Sequence, residues 1–299
     1  MNFDKLYTIQ YPSGSFGHFT HLILSTYGEN FTKQKVELKF KNKMNSGSSH
    51  FISSQIQKYY DVDRYKEYAA TALTDDYIAL TKNGNYTTVI IDSGIADDSD
   101  TFKQFFPNAN CIKICYTDYS WPFSAKSFYT RCMSEVLLEE TKIDDFINPD
   151  KDKWISAEPW EKREKYFLFL RDHEFRQMWN LSSSPLTVDV NAYLSYETLY
   201  NSLSNIVKLS NFHELYDKFY KNNSIHIDWY LRCREILSAI QNNQCIDLTD
   251  ISDDLFSQAT INYYIQILYN FEIPAWDYRD WFSSTDQIFS MLDLHNISH

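Results

Sequence analysis

Tyr7-Thr-Ile-Gln-Tyr-Pro-Ser-Gly-Ser-Phe-Gly-His-Phe-Thr-His-Leu-Ile-Leu-Ser25 is the stretch whose reading decides the fold. Apolar residues alternate from Leu6 to Tyr11, which predicts a strand; Pro12 to Gly17 is a short turn of small residues; and from Phe19 to Tyr27 the apolar positions are spaced for one face of a helix. Strand, small loop and helix in this order form a unit whose loop brings several backbone N–H groups to the positive end of a helix. There an anion is stabilised, and glycines permit its close approach. The candidate cradle is Ser13, Gly14, Ser15, Phe16 and Gly17, with His18 beside it. A complete Walker loop would carry a lysine after its second glycine, and here His18 and Phe19 follow Gly17.

Outward from this unit, the same rhythm repeats. Thr87-Thr-Val-Ile-Ile-Asp-Ser93 is a β-branched strand, followed by a short helix from Asp98 to Phe106 with an acidic first turn. Cys111 to Asp118 is the next strand and precedes a helix from about Phe123 to Leu138; Leu186 to Leu194 is a late strand. Continuous apolar strands separated by helices predict a parallel sheet with both faces covered. Ligands of such sheets bind at the carboxyl ends of the strands. That rule gathers Pro12 to His18, Asp92 with Ser93, and Thr117 to Ser120 along one edge.

The remaining expectations are coarser. A short strand at Val36 to Phe40 and a helix from Gln55 to Leu73 are expected, and the polar segments Lys33 to His50 and Glu140 to Glu158 read as loops. A helix from Trp160 to Trp179 follows. From 196 onward the chain reads as almost entirely helical, over about 196–209, 212–221, 225–241 and 253–271, with an aromatic segment from Glu272 to Phe282 and a last helix from Thr285 to Leu294. No repeat and no clean linker divides the 299 residues, so the expected architecture is one α/β domain over 1–299, three-layered around a mostly parallel sheet, with a helical C-terminal elaboration over 196–299.

Composition limits the function classes. Hydrophobic residues make up 43% and aromatics 17%, with only six glycines and seven prolines, which favours long helices over a loop-rich sandwich. A formal charge of −12 argues against a general nucleic-acid binder, because phosphate backbones are held by clustered Lys and Arg. The polar start Met1-Asn-Phe-Asp-Lys and the lack of any run near the roughly 18 to 20 apolar residues of a membrane span point to a cytoplasmic protein with no membrane partner. Five scattered cysteines without a CxxC pair read as reduced core thiols, and His173-Glu174 lacks the second histidine of a zinc motif, so no metal is expected.

The first strand ending in Tyr-Pro-Ser-Gly-Ser, the Lys113-bearing strand with its following helix, and a late strand leading to Tyr196-Glu-Thr-Leu together resemble the P-loop sulfotransferases. Ser13-Gly14-Ser15 is similar to the Ser-Gly-Thr core of that family's loop, which holds the 5′-phosphosulfate of 3′-phosphoadenosine 5′-phosphosulfate. The loop and the Pro274 to Phe282 segment also resemble divergent sulfotransferase-like proteins of marine phages and cyanobacteria. The resemblance implies a P-loop-type fold and transfer of a sulfuryl group from that donor to a hydroxyl or amine of a small molecule or glycan. It implies a catalytic base at Asp92 or His18, and a 3′-phosphate contact at Ser124; Lys126 and Arg131 are further sources of positive charge. The sequence departs from the pattern at three places. No lysine stands between Pro12 and Ser13, Asp92 and Ser93 occupy the place of the family's histidine, and Tyr116 or Thr117 that of its 3′-phosphate arginine. Two alternatives stand beside this reading. One is a non-catalytic interaction or scaffold protein on the same fold, and the other a nucleotide or sugar-phosphate kinase relative, which lacks its lysine and its magnesium pair.

Overall fold

A computed structural model describes residues 2–11, 15–33, 74–92, 107–117, 119–126, 186–242, 244 and 255–269. The expected strand at 36–40, the helices at 55–73, 98–106, 160–179 and 285–294, the loop at 140–158 and the 274–282 segment lie outside these residues. Contacts group the chain into two compact units, Met1–Thr117 with Gln177–Asn222, and Asp118–Arg176 with Asn223–His299.

The first unit is built on a four-stranded sheet in which every pairing is parallel: β1 (Leu6–Tyr11), β2 (Thr87–Asp92), β3 (Asn110–Cys115) and β4 (Leu186–Asp189), in the order β2-β1-β3-β4. The α/β class and the parallel sheet are therefore as the sequence predicts. Registers run Tyr11 to Asp92, Gln10 to Lys113 and Cys115 to Asp189, so the carboxyl ends of all four strands share one edge. Ile9, Ile112, Ile114 and Val188 are fully buried along the sheet. Because β1 lies between β2 and β3, the chain reverses its direction of travel across the sheet at the β1/β3 boundary. That is where open α/β sheets form their ligand crevice.

Helix α1 (Gly17–Tyr27) leaves β1 through the short loop. It is buried on nearly every side, including Thr20, His21 and Ser25, rather than along one stripe. Its polar side chains are paired inside: the Thr20 hydroxyl with the Tyr193 hydroxyl, His21 Nδ1 with Thr88 Oγ1 at 2.7 Å, and Ser25 Oγ donating to the Leu22 carbonyl. A helix absent from the sequence reading, α2 (Thr74–Thr81), precedes β2. Its Tyr77 packs on Phe3 and its hydroxyl accepts from the Lys5 amide.

Two sequence expectations change locally. The late strand stops at Asp189 instead of Leu194, because the Asp189 carboxylate accepts the Asn191 amide and turns the chain into a 3-10 helix over Val190–Leu194. The two helices expected at 212–221 and 225–241 are one, α4 (His213–Gln241), unbroken at Asn222-Asn-Ser. Between β4 and α4, helix α3 (Tyr196–Ser204) starts at Ser195, whose hydroxyl accepts the Thr198 amide at 3.2 Å.

Residues 213–222 of α4 belong to the first unit and 223–241 to the second. In the second unit α4 buries Ile227, Tyr230, Cys233, Ile236, Leu237 and Ile240, three or four positions apart, as a single apolar face requires. That unit also holds the helical residues 121–126 and α5 (Leu255–Tyr269). Tyr230 and Tyr264 each donate a hydroxyl to the Tyr119 carbonyl, and the Phe123 and Tyr230 rings stack at 4.7 Å.

Candidate functional site

The junction of β1 and α1 lies on the sheet's carboxyl edge, and the described part of it begins at Ser15. Pro12, Ser13 and Gly14 lie outside the described residues. Phe16 is the N-cap of α1, with φ 61° and ψ 25°, the left-handed region, and offers no side-chain cap to the helix. A left-handed residue followed by a helical one turns successive amides toward one concavity, a geometry that receives anions. No acidic residue stands in the first turn of α1, so the helix keeps its positive N-terminal potential.

The loop is built on aromatic packing. The Phe16 ring lies 5.2 Å from Tyr193 and 5.1 Å, edge-on, from Phe219, while Phe19 stacks on Phe219 at 4.1 Å. Tyr193 is sealed in the core. Its hydroxyl pairs with Thr20, its carbonyl accepts from Tyr216, and burial pushes its ionisation far above the ordinary tyrosine range. These partners come from β4's downstream turn and from α4, so nothing in the loop's own neighbourhood announced them. The one available signal was the density of Tyr and Phe in 193–220.

Gly17 has a reason different from the one its sequence context suggests. A Cβ placed there would clash with the Tyr11 ring, so the close approach that demands glycine is that of a protein side chain. Tyr11 is buried and meets the half-buried His18 edge-on at 5.7 Å. Ser15 is fully buried. Asp92 ends β2 in register with Tyr11, so its backbone stands beside the loop on the same edge. Thr117 follows the end of β3 and is half-buried, with Tyr116 buried before it. Of the predicted residues, the first unit thus brings together Ser15, Phe16, Gly17, His18 and Asp92 at one sheet edge. Ser124 belongs to the second unit, where it is fully buried, as does Lys126; Arg131 lies outside the described residues.

The Lys126 ammonium sits 3.8 Å above the Trp229 ring, and Trp229 donates its indole N–H to Ser257 at 2.8 Å. The adjacent His226 is held below the ordinary histidine range by burial and by the Lys126 charge.

Two other sets of titratable groups take structural roles. His21 is sealed between α1 and β2, with Nδ1 bonded to Thr88 and Nε2 without a hydrogen-bond partner; burial lowers it to about 4, so it is neutral at physiological pH. Cys115 is buried and its thiol is pushed up to about 11, and burial raises Cys111 as well, so neither is a thiolate nucleophile. Among the described residues, no group of three or more His, Cys, Asp or Glu is placed to hold a metal ion, and no helix is long and apolar enough to cross a membrane.

The chain matches no protein-family model, no curated protein and no solved structure.

Proposed function

We propose that this chain is a sulfotransferase-like protein of the P-loop type. On this reading it binds 3′-phosphoadenosine 5′-phosphosulfate at the β1–α1 loop and passes the sulfuryl group to a hydroxyl or amine of a small molecule or glycan. The observation that carries the reading is Phe16. It is a left-handed residue at a helix N-terminus without a side-chain cap, on the carboxyl edge of an all-parallel sheet and beside the β1/β3 reversal. The amides of Gly14 to Gly17 with Ser13 and Ser15 are assigned to the 5′-phosphosulfate, and Asp92 or His18 to the acceptor proton; Ser124, buried in the second unit, is assigned no part in this loop's site. In the transfer step the acceptor oxygen or nitrogen attacks sulfur and loses its proton to the base. The bond from sulfur to the bridging phosphate oxygen breaks, and its electron pair leaves on that oxygen as 3′-phosphoadenosine 5′-phosphate. With no lysine in the loop, what the loop itself offers that charge is its backbone amides, its serine hydroxyls and His18.

A second reading, a non-catalytic interaction protein on the same fold, draws support from Gly17 and Ser15. The glycine is accounted for by the Tyr11 ring, and the serine side chain is buried rather than offered to a ligand. Calorimetric titration of the full chain with 3′-phosphoadenosine 5′-phosphate separates the two. Micromolar binding that disappears in Gly14→Val supports the enzyme and warrants an acceptor screen. No heat and no thermal stabilisation at millimolar ligand removes donor-dependent catalysis and leaves the interaction protein.

A further inference from the structure

We propose that the second unit carries a site for a small oxyanion of the phosphate class, held between the Lys126 ammonium and Nδ1 of His226. Every group in it belongs to that unit, so the inference stands apart from the donor reading. His226 and Trp229 are three residues apart on α4 and are therefore neighbours on one face of the helix. Lys126 comes to that face from the helical residues 121–126, with its ammonium 3.8 Å from the centre of the Trp229 ring. Trp229 is fixed in turn by its indole bond to Ser257 on α5.

One atom of this cluster points to a ligand, and its neighbour decides the sign of that ligand. His226 Nδ1 is buried and has no hydrogen-bond partner among the described residues. Buried polar atoms are almost always paired, and an exception marks the place of a partner that the surrounding side chains do not supply. Burial, and after it the Lys126 charge, hold His226 below the ordinary histidine range; the ammonium's field reaches the ring, which disfavours a cation there and favours an anion. With its proton on Nδ1 the neutral imidazole donates one hydrogen bond and the ammonium donates others, and a tetrahedral oxyanion has separate oxygens for both. Lys126 is carried on a flexible stem, so its head can turn from the Trp229 face toward the arriving ion. His226 and Trp229 are each half-buried, which leaves the cluster within reach of the surface.

The test is titration of the full-length chain with inorganic phosphate at fixed ionic strength, followed by NMR at the histidine imidazole nitrogens and the tryptophan indole N–H groups. His226→Phe and Trp229→Phe assign the two signals, and the wild type is expected to show a saturable shift of both. Lys126→Met keeps an apolar stem on the Trp229 ring without the charge, and His226→Phe keeps a ring without the nitrogens. Each should weaken phosphate about tenfold or more, the effect of one lost charge-assisted hydrogen bond. Lys218→Met, at an exposed position of α4 in the first unit, should bind as the wild type does. No shift at His226 up to tens of millimolar phosphate overturns the site and leaves Nδ1 to water. Weakening as large in Lys218→Met overturns it as well, showing an adventitious ion only. Shifts confined to the amides of residues 15–18 overturn it and leave the donor reading in place. Should thermal unfolding show that Lys126→Met does not fold, His226→Phe, read at the Trp229 indole, decides the outcome.

Discussion

Lowering the pH from about 7.5 to about 4 should cost the first unit about 3 kcal/mol through one side chain, His21. The imidazole is fully buried between α1 and β2, with one nitrogen on Thr88 and the other unpartnered. A protonated ring would need two acceptors and has one. Burial brings the group from 6.5 to about 4. A pKa lowered by about 2.5 is worth about 3.5 kcal/mol in full, of which about 3 is lost by pH 4, where the folded ring is itself half protonated. The folded pKa is the lower one, so between about 6.5 and 4 the unfolded chain takes up a proton that the folded chain refuses. The stabilisation is complete above about pH 6.5, falls by about 1 kcal/mol near pH 5.5, and is nearly gone at about pH 4. The assay compares wild type with His21→Asn, which retains an acceptor for Thr88 and does not titrate. Urea unfolding across the pH series at fixed ionic strength, with amide exchange of α1 and β2 reporting the unit that holds His21, gives the difference between the two proteins. Carboxylates titrate in both and cancel in that difference. A gap that stays constant from neutral pH to about pH 4 would refute the reasoning, since it would mean that the buried ring never resists its proton.

Three further substitutions probe the packing around the loop and in the second unit. Gly17→Ala drives a methyl into the Tyr11 ring and should destabilise by about 1 to 3 kcal/mol, read as a lower urea midpoint; wild-type stability would mean the ring moves aside freely. Ser195→Ala removes the N-cap of α3 and should cost about 1 kcal/mol, with Ser195→Asp recovering most of it, in the same unfolding measurement. Trp229→Phe deletes the indole bond to Ser257 and weakens the face presented to Lys126, for a loss of about 1 to 2 kcal/mol; the marker is earlier exchange of amides in α5.

The strand, loop and helix at the start of the chain, and the parallel character of the sheet, were legible because they are written in local patterns. β-branched runs, a small-residue turn and helical spacing act over a few residues each. The break of the late strand at Asp189 was also local in cause. It was missed because Val190, Ala192 and Leu194 continue an apolar alternation that one Asp-to-amide bond overrides. The uninterrupted α4 was missed for the opposite reason: Asn222-Asn-Ser has low helix propensity, and the residues on either side carry the helix through it.

The sequence by itself determined that a small loop would join a strand to a helix at the carboxyl edge of a parallel sheet, since each of those features depends on neighbours along the chain. Only the tertiary structure decided what the loop residues do. Gly17 is required by Tyr11, Phe16 is held by rings at 193 and 219, Thr20 meets a hydroxyl 173 positions away, and His21 is neutral because α1 is enclosed. Packing, strain and desolvation depend on which atoms surround a side chain, and those atoms arrive from distant segments that no local pattern names.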